Sequence, residues 1–306
     1  MKISILSTTT YPTPVNTYGG ESFIYELAVG LKELGHEIVL YAVKNDDIEY
    51  PFKINKLRGA YNEIRPRHEY DAWTFYKDDL LNSDVILEMS HLKRVGQMLH
   101  DLKIKEEVVN YLIGNCWHNP PVPFNIIVNS AKQLDMGIKG ETGFEDSPIK
   151  YKYNNYGQIP STSKYAHLGV NTDFYKFNEN KEDYFLWLAR FHWMKGPQVA
   201  IKLAKETSIN LILAGDSLSH PAHYTEWKIC MEQIKGCDNI KYIELPQDNT
   251  HQIAKMKLMQ NAKCSLFPVQ FHESFGLTVI EALSCGTPVI ASNMGSMPEI
   301  IKHGET

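Results

Sequence analysis

The sequence predicts an α/β protein with two doubly wound domains in tandem. Short apolar runs rich in β-branched residues alternate with segments whose apolar residues recur at helical spacing, a pattern typical of βαβ units in parallel sheets. The chain has 306 residues, a length that favours two domains at about 150 residues each. Because open α/β sheets bind ligands beyond the carboxyl ends of their strands, we expect the functional site in a central cleft that the two domains face.

The first half of the chain opens with a βαβ unit. Apolar runs from Lys2 to Leu6 and from Glu37 to Ala42 predict strands, and helical spacing from Phe23 to Leu34 predicts the helix between them. Gly35 follows that helix where a left-handed C-cap is expected. The stretch from about Lys132 to Tyr165 lacks periodicity and is interpreted as loops and short helices. Further strands are predicted at Val85–Leu87, Val108–Ile113 and Asn125–Val128.

The second half shows a more regular alternation from Tyr184 onward. Helical patterns separate its apolar runs, which predicts a second doubly wound sheet. The predicted strands are Tyr184–Ala189, Asn210–Ala214, Ile240–Leu245, Cys264–Val269 and Pro288–Ala291.

Composition and charge exclude several classes of protein. The 31 Lys and Arg against 36 Asp and Glu give a net charge of −5, which offers no basic footprint for nucleic acid. No run approaches the roughly 18 apolar residues of a membrane span, and the N-terminus lacks the pattern of a signal peptide. An odd number of widely spaced cysteines is typical of reduced thiols, so we expect a cytoplasmic protein. Peripheral contact with a membrane surface stays open.

The loop after the first predicted strand ends in Gly19-Gly20, immediately before a helix. Paired glycines let a backbone approach a ligand closely and direct its amides at an anion. A plain turn explains these two residues equally well. The loop contains neither G-x-G-x-x-G nor G-x-x-x-x-G-K-[ST], which argues against a dehydrogenase or a P-loop protein.

Two cations lie near the end of the predicted strand at Tyr184. Arg190 ends this strand, and Lys195 follows a short loop and precedes the helix that opens at Pro197. An arginine and a lysine at the mouth of an α/β sheet suit a diphosphate, although solvated surface charge is the usual role of either residue alone.

The segment Phe271 to Leu283 carries two glutamates, Glu273 in a predicted loop and Glu281 inside the helix that follows. The start of that helix, around Phe275 to Leu277, offers backbone amides to a phosphate. A carboxylate on an otherwise apolar helix is costly to bury without partners, so Glu281 is expected to meet ligand hydroxyls.

These segments, taken in order, resemble the retaining nucleotide-sugar glycosyltransferases of family 4, which have the GT-B fold of two Rossmann-like domains. Glu273 to Glu281 is similar to the E-x7-E motif of that family, while Asn171 stands where the family has aspartate. The matching segments are Gly19-Gly20, Cys116-Trp117-His118, His167 to Asn171 with Phe174, Ala189-Arg190 with Lys195-Gly196, Leu213 to Asp216, Glu273 to Glu281, and Gly286 to Ser292 with Pro298-Glu299-Ile300.

The resemblance implies transfer of a sugar from a nucleoside diphosphate sugar to an acceptor hydroxyl, with UDP-glucose as the default donor. It implies an acceptor-side domain over 1–170 and a donor-binding domain over 171–306, the latter lacking its usual C-terminal end. Glu273 would bind the sugar hydroxyls, Glu281 the ribose, and Arg190 with Lys195 the diphosphate. The expected donor-binding residues are Gly19, Gly20, Arg190, Lys195, Gly215, Glu273, Ser274, Phe275, Gly276, Leu277 and Glu281.

The resemblance also places His118 near the donor sugar and the acceptor, which makes it a catalytic candidate together with Glu273, Arg190 and Lys195. His91 is a weaker candidate of the same kind. No D-x-D sequence occurs in the chain, so we expect catalysis without a metal or another cofactor. His220, His223, Cys230 and Cys237 lack the spacing of a zinc site.

Other functions remain open at this level. An inverting transferase or a nucleotide-sugar epimerase would use the same fold, and a binding protein could retain the site without catalysis. The expected acceptor is a glycan, a lipid or a small molecule.

Overall fold

A computed structural model describes residues 1–14, 19–59, 65–104, 107–112, 125–141, 158–215, 221–246, 248 and 250–305. The described residues fall into two compact units. The first contains those up to residue 141 and from 158 to 168, and the second contains those from 169 onward.

The first unit is built on one parallel sheet in the order β2-β3-β1-β5-β6-β7-β8, with β4 also paired to β3. Its strands are β1 (Lys2–Leu6), β2 (Pro12–Thr13), β3 (Glu37–Lys44), β4 (Lys53–Lys56), β5 (Val85–Glu88), β6 (Val108–Leu112), β7 (Ile126–Val128) and β8 (Lys164–Tyr165). Its helices are α1 (Gly19–Glu33), α2 (Pro66–Glu69), α3 (Asp71–Leu81), α4 (Arg94–Asp101) and α5 (Ala131–Lys139).

The predicted βαβ unit is confirmed. β1 and β3 pair in parallel, and α1 connects them. The helix buries Phe23, Ile24 and Ala28, as the helical spacing predicts. Gly35 has a φ of +87° just beyond the helix, which is the left-handed conformation expected of its C-cap.

The second unit is a parallel sheet in the order β11-β10-β9-β12-β13. Its strands are β9 (Phe185–Leu188), β10 (Leu211–Gly215), β11 (Ile240–Glu244), β12 (Cys264–Phe267) and β13 (Val289–Ala291). Its helices are a 3₁₀ turn (Trp193–Lys195), α6 (Pro197–Thr207), α7 (Pro221–Gln233), α8 (His251–Asn261), α9 (Leu277–Ser284) and α10 (Met297–Ile300).

Both faces of this second sheet are apolar because successive residues of a strand point to opposite sides. Trp187 and Leu213 belong to a core that includes residues of α6 and α7. Their neighbours Leu186 and Ala214 belong to a different core, which includes residues of α8. The sheet is therefore covered by helices on both faces, and the α/β fold class predicted from the sequence is confirmed.

The strand order of the second sheet reverses between β9 and β12. The chain runs from β9 outward to β10 and β11, and then returns to the other side of β9 as β12. At such a switch point the loops after the two central strands diverge to opposite faces and leave a crevice at the carboxyl edge. The loops that follow β9 and β12 are thus the first place to look for a site in this unit.

Several elements of the first unit escape sequence prediction. The strand β4 has a mostly polar sequence and buries little, and β8 is a two-residue strand with both residues exposed. Among the helices that the structure describes in either unit, none has the length and apolar character needed to cross a bilayer.

Candidate functional site

The loop after β9 holds Lys195 by its backbone from two sides. Trp187 of β9 donates its indole N–H to the carbonyl of Lys195 over 2.9 Å. Gln270, in the loop after β12, donates its backbone N–H to the carbonyl of Met194 over 2.8 Å. The position of Lys195 is therefore fixed by both central strands of the sheet.

The Lys195 side chain forms an ion pair with Glu273. Its ammonium also lies 5.0 Å from the ring centre of Phe271 and 5.8 Å from that of Phe267, within the range of a cation–π interaction. The side chains of Lys195 and Glu273 keep 20% and 12% of their exposure. The two residues that the family resemblance assigns to the diphosphate and the sugar are thus in contact at the carboxyl edge between β9 and β12. Both side chains are largely buried from solvent.

The loop that carries Glu273 is fixed by the turn after β13. Ser296 donates its backbone N–H to the carbonyl of Glu273 over 3.0 Å and its hydroxyl to the carbonyl of Phe275 over 2.7 Å. Gly295 donates its N–H to Nδ1 of His272 over 2.9 Å. Gly295 and Ser296 lie between two segments that match the family pattern, Gly286 to Ser292 and Pro298 to Ile300, and no sequence motif marks them.

Gly295 must be a glycine for this contact. Its φ is +60°, and a Cβ at this position would lie 2.3 Å from the carbonyl oxygen of Glu273 and 2.4 Å from its nitrogen. Any side chain would push the Glu273 loop away, since neither neighbouring atom belongs to a flexible side chain.

The helix α9 starts directly after this loop. Gly276 is its N-cap, with a φ of +95°, and Leu277 is its first residue. Ser274 and Phe275 are buried in the preceding turn. The amides of a first helical turn and the helix dipole favour an anion, so the N-terminus of α9 complements Lys195 in attracting negative charge.

Glu281 is buried in α9 and has partners within the protein. Its Oε1 accepts a hydrogen bond from Lys255 Nζ over 2.7 Å and one from the Tyr175 hydroxyl over 3.0 Å. An ammonium and a phenol of the protein thus already compensate this buried carboxylate, and the role of Glu281 toward a ligand stays a prediction. At the end of the same helix, burial raises the pKa of the Cys285 thiol to about 11.

The remaining predicted donor residues lie at several places. Arg190 is exposed, two residues beyond β9. Gly215 is the last residue of β10, and a Cβ there would lie 2.0 Å from the carbonyl oxygen of Ala189, which gives this glycine a packing reason independent of any ligand. Gly19 and Gly20 are the first two residues of α1 in the first unit.

The two histidine candidates belong to the first half of the chain. His118 falls outside the described residues. His91 follows β5 and is half-buried. Over the part of the chain that the structure describes, no group of three or more His, Cys, Asp or Glu side chains is arranged to hold a metal ion.

Comparison with known proteins gives the class. Residues 171–306 match the family model of glycosyl transferases group 1. The chain is 23% identical over 333 residues to a D-inositol 3-phosphate glycosyltransferase of Pseudarthrobacter chlorophenolicus, a match that covers 94% of this chain and 77% of the relative. It is 27% identical over 193 residues to an uncharacterized glycosyltransferase of Methanocaldococcus jannaschii, covering 58% of this chain and 50% of that one.

Solved structures agree on the fold. The Anabaena protein HepE, crystallised with UDP and glucose, superposes with a TM-score of 0.71 at 16% identity, over 99% of this chain and 84% of HepE. The fold is thus the GT-B fold, with two Rossmann-like domains. The family-model match and the relatives show that the chain is a glycosyltransferase. Within that class, the comparisons support the glycosyl transferases group 1 family, whose model covers the second unit.

Proposed function

We propose that this glycosyltransferase moves a sugar from a nucleoside diphosphate sugar to an acceptor hydroxyl with retention of anomeric configuration. The observation that carries the proposal is the contact between Lys195 and Glu273 at the carboxyl edge between β9 and β12, beside the N-terminus of α9. A cation, a carboxylate and helix amides together suit a ligand that is anionic at one end and rich in hydroxyls at the other.

The residues take the following roles in the proposal. Arg190, Lys195 and the first amides of α9 stabilise the diphosphate where negative charge develops as the sugar departs. Glu273 accepts hydrogen bonds from hydroxyls of the transferred sugar, and Glu281 from the ribose. Gly19 and Gly20 bind the donor through their backbone amides, and His118 serves the sugar and the acceptor.

The reaction balances without a side-chain base. The bond from the anomeric carbon to the diphosphate oxygen breaks, and the acceptor oxygen forms a bond to the same face of that carbon. The hydroxyl proton of the acceptor passes to the departing diphosphate oxygen. Because side chains and amides supply the positive charge, no metal or other cofactor is part of the proposal.

The proposal also names a first donor, an acceptor type and a cellular compartment. We take UDP-glucose as the first donor to test, supported by the UDP and glucose in the HepE structure. The acceptor is a hydroxyl of a glycan, a lipid or a small molecule, and we place the enzyme in the cytoplasm, with peripheral membrane contact as an open alternative.

The test starts with thermal-shift screening of UDP, GDP and ADP sugars. A stabilising donor is then incubated with a panel of acceptors, and the anomeric configuration of the product is read by NMR. A retained anomer supports the proposal. An inverted anomer or an epimerised donor assigns the chain to another GT-B activity, and donor binding without transfer or hydrolysis assigns it to a binding protein.

A further inference from the structure

Residues 174–182, which we call the strap, cross the C-terminal ends of α8 and α9. Lys181 Nζ donates to the carbonyl of Gln260 near the end of α8, to the carbonyl of Cys285 at the end of α9, and to the Thr287 hydroxyl, over 2.8, 3.0 and 2.9 Å. Ser284 donates its hydroxyl to the carbonyl of Tyr175 over 2.7 Å. The strap is therefore fixed on both helices, and so is the backbone of Tyr175.

Tyr175, Lys255 and Glu281 form one polar cluster beneath the strap. The Tyr175 hydroxyl lies 3.0 Å from Glu281 Oε1 and 3.1 Å from Oε1 of Gln252. A phenol has one proton, and a bond to a carboxylate is stronger than one to a neutral amide, so the proton belongs to the bond with Glu281. Lys255 completes the cluster, with its ammonium 5.7 Å from the centre of the Tyr175 ring.

The two carboxylate oxygens of Glu281 differ. Oε1 accepts from both Tyr175 and Lys255. Oε2 lies 2.6 Å from the Lys255 ammonium, yet it is buried and accepts no hydrogen bond of proper geometry from the residues that the structure describes. Buried polar atoms without a hydrogen bond are rare and call for a partner. Oε2 is therefore the atom with capacity for a ligand hydroxyl.

Lys255 is the ion-pair partner of Glu281. The titratable groups that face Glu281 are Lys255 of α8, Tyr175 of the strap and Cys285 at the end of α9, with Lys181 beyond the cysteine. Lys255 supplies the only formal positive charge in contact with the carboxylate among the described residues. The Glu281 side chain is 11% exposed, so the ion pair with Lys255 compensates part of the cost of burying its charge.

We infer that Tyr175 and Lys255 are positioning residues for donor recognition, which saturate Oε1 of Glu281 and leave Oε2 aimed at a hydroxyl of the donor ribose. This inference rests on the proposed function and adds two residues to it. It also states which property of the site these two residues control, namely its preference for ribonucleotides over deoxyribonucleotides.

The test compares UDP with its 2′-deoxy and 3′-deoxy analogues by calorimetry. In the wild type, loss of the contacted hydroxyl should weaken binding about 10- to 150-fold, the range for a hydrogen bond to a charged group. Tyr175→Phe and Lys255→Met should bind UDP more weakly and lower this discrimination to below about 3-fold. Lys255→Arg should restore part of it, because the charge is kept.

The discrimination ratio separates positioning from a structural role. A variant that merely loosens the fold weakens all three nucleotides alike and leaves the ratio unchanged. The matched control is Lys263→Met, because Lys263 forms an ion pair of similar length, 2.7 Å to Asp183, but in an exposed place. If Lys255→Met fails to fold, Tyr175→Phe, which removes a single oxygen, carries the test.

The binding results separate the inference about Tyr175 and Lys255 from the proposed function. If the wild type binds UDP but shows no preference for the ribose, or if both variants keep that preference, the inference is overturned while the proposed donor class stands. If the wild type binds no nucleoside diphosphate or nucleotide sugar, the proposed function is overturned and the inference with it.

Discussion

Lys195 and Glu273 form an ion pair although 78 positions separate them in the chain. One follows β9 and the other follows β12, the two strands between which the sheet order reverses. The carboxylate of Glu273 is thus paired with the cation that we assign to the diphosphate. A donor must replace this internal anion with its own phosphate, while the released carboxylate becomes available to the sugar hydroxyls.

Replacing Glu273 with glutamine should therefore separate nucleotide binding from donor use. The variant loses the anion that competes with phosphate for Lys195, so we expect UDP to bind about 3- to 10-fold more tightly, or about 0.7–1.4 kcal/mol. The same change weakens contacts to the sugar hydroxyls, so kcat/KM for the sugar donor should fall at least about 10-fold. Calorimetry with UDP and steady-state kinetics measure the two effects.

The control for this prediction is Glu206→Gln. Glu206 pairs with Lys202 on the exposed surface of α6, at 3.8 Å, and its loss should change neither quantity. If Glu273→Gln lowers UDP affinity and kcat/KM for the sugar donor by the same factor, Glu273 only stabilises the loop.

Truncation of the two cations should reduce nucleotide binding. Arg190→Ala or Lys195→Ala removes a positive group from a partly desolvated diphosphate, at a cost of about 2–5 kcal/mol in affinity or in transition-state stabilisation. Lys202→Ala, which removes a solvated lysine of α6, should have no measurable effect. If the Arg190→Ala enzyme binds UDP and turns over like the parent, Arg190 has no role in the site.

Chelation should leave the reaction rate unchanged. The proposed site stabilises the diphosphate with side chains and helix amides, so saturating EDTA should not alter transfer measured by product formation. Activity that disappears with EDTA and returns with Mg²⁺ or Mn²⁺ contradicts this prediction.

Asp79 should make the first unit sensitive to acid. Burial by itself would raise the pKa of Asp79, but hydrogen bonds from Lys2, Lys53 and Asn55 outweigh burial and hold that pKa well below its usual range. A lowered carboxyl pKa stabilises the fold above the unfolded pKa of about 4, and this contribution is lost as pH falls toward the folded pKa.

The measurement is denaturant unfolding of the wild type and Asp79→Asn from pH 7 down to pH 3. At pH 7 the variant should be about 1–2 kcal/mol less stable, since it loses charge-assisted hydrogen bonds at a partly exposed site. The difference should shrink below about pH 4, because the unfolded chain then binds a proton at Asp79 that the folded protein does not bind. Asp135→Asn on α5, whose pair with Lys139 is exposed, should differ little from the wild type at any pH. A gap that is constant with pH would show that Asp79 acts through packing.

The fold could be predicted from the sequence wherever burial dominates. Strands such as β9 and β12 are covered on both faces, so they read as continuous apolar runs, and α1 reveals itself through its single apolar stripe. The strands β4 and β8 bury little, so hydrophobic patterning carries no signal for them. Their pairing depends on the sheet that is already in place.

The site divides in a similar way. The placement of Lys195 and Glu273 at one edge of the sheet could be predicted, because each follows a recognisable strand and the carboxyl ends of parallel strands meet at one edge. Tyr175 and Lys255 lie 106 and 26 positions from Glu281, and their side chains meet it only after α8, α9 and the strap have packed. No local pattern marks such residues, because the contact is a product of tertiary structure.

Lys181 has a practical consequence for work on the second unit alone. Its three hydrogen bonds join the strap to the ends of α8 and α9, so the strap belongs to this unit although it precedes β9. A truncated protein that starts at Tyr184 would leave those acceptors without their lysine and would discard Tyr175. An expression fragment that starts at Gly169 keeps both residues. We expect this fragment to fold without the first unit and to bind ribonucleotides in preference to deoxyribonucleotides.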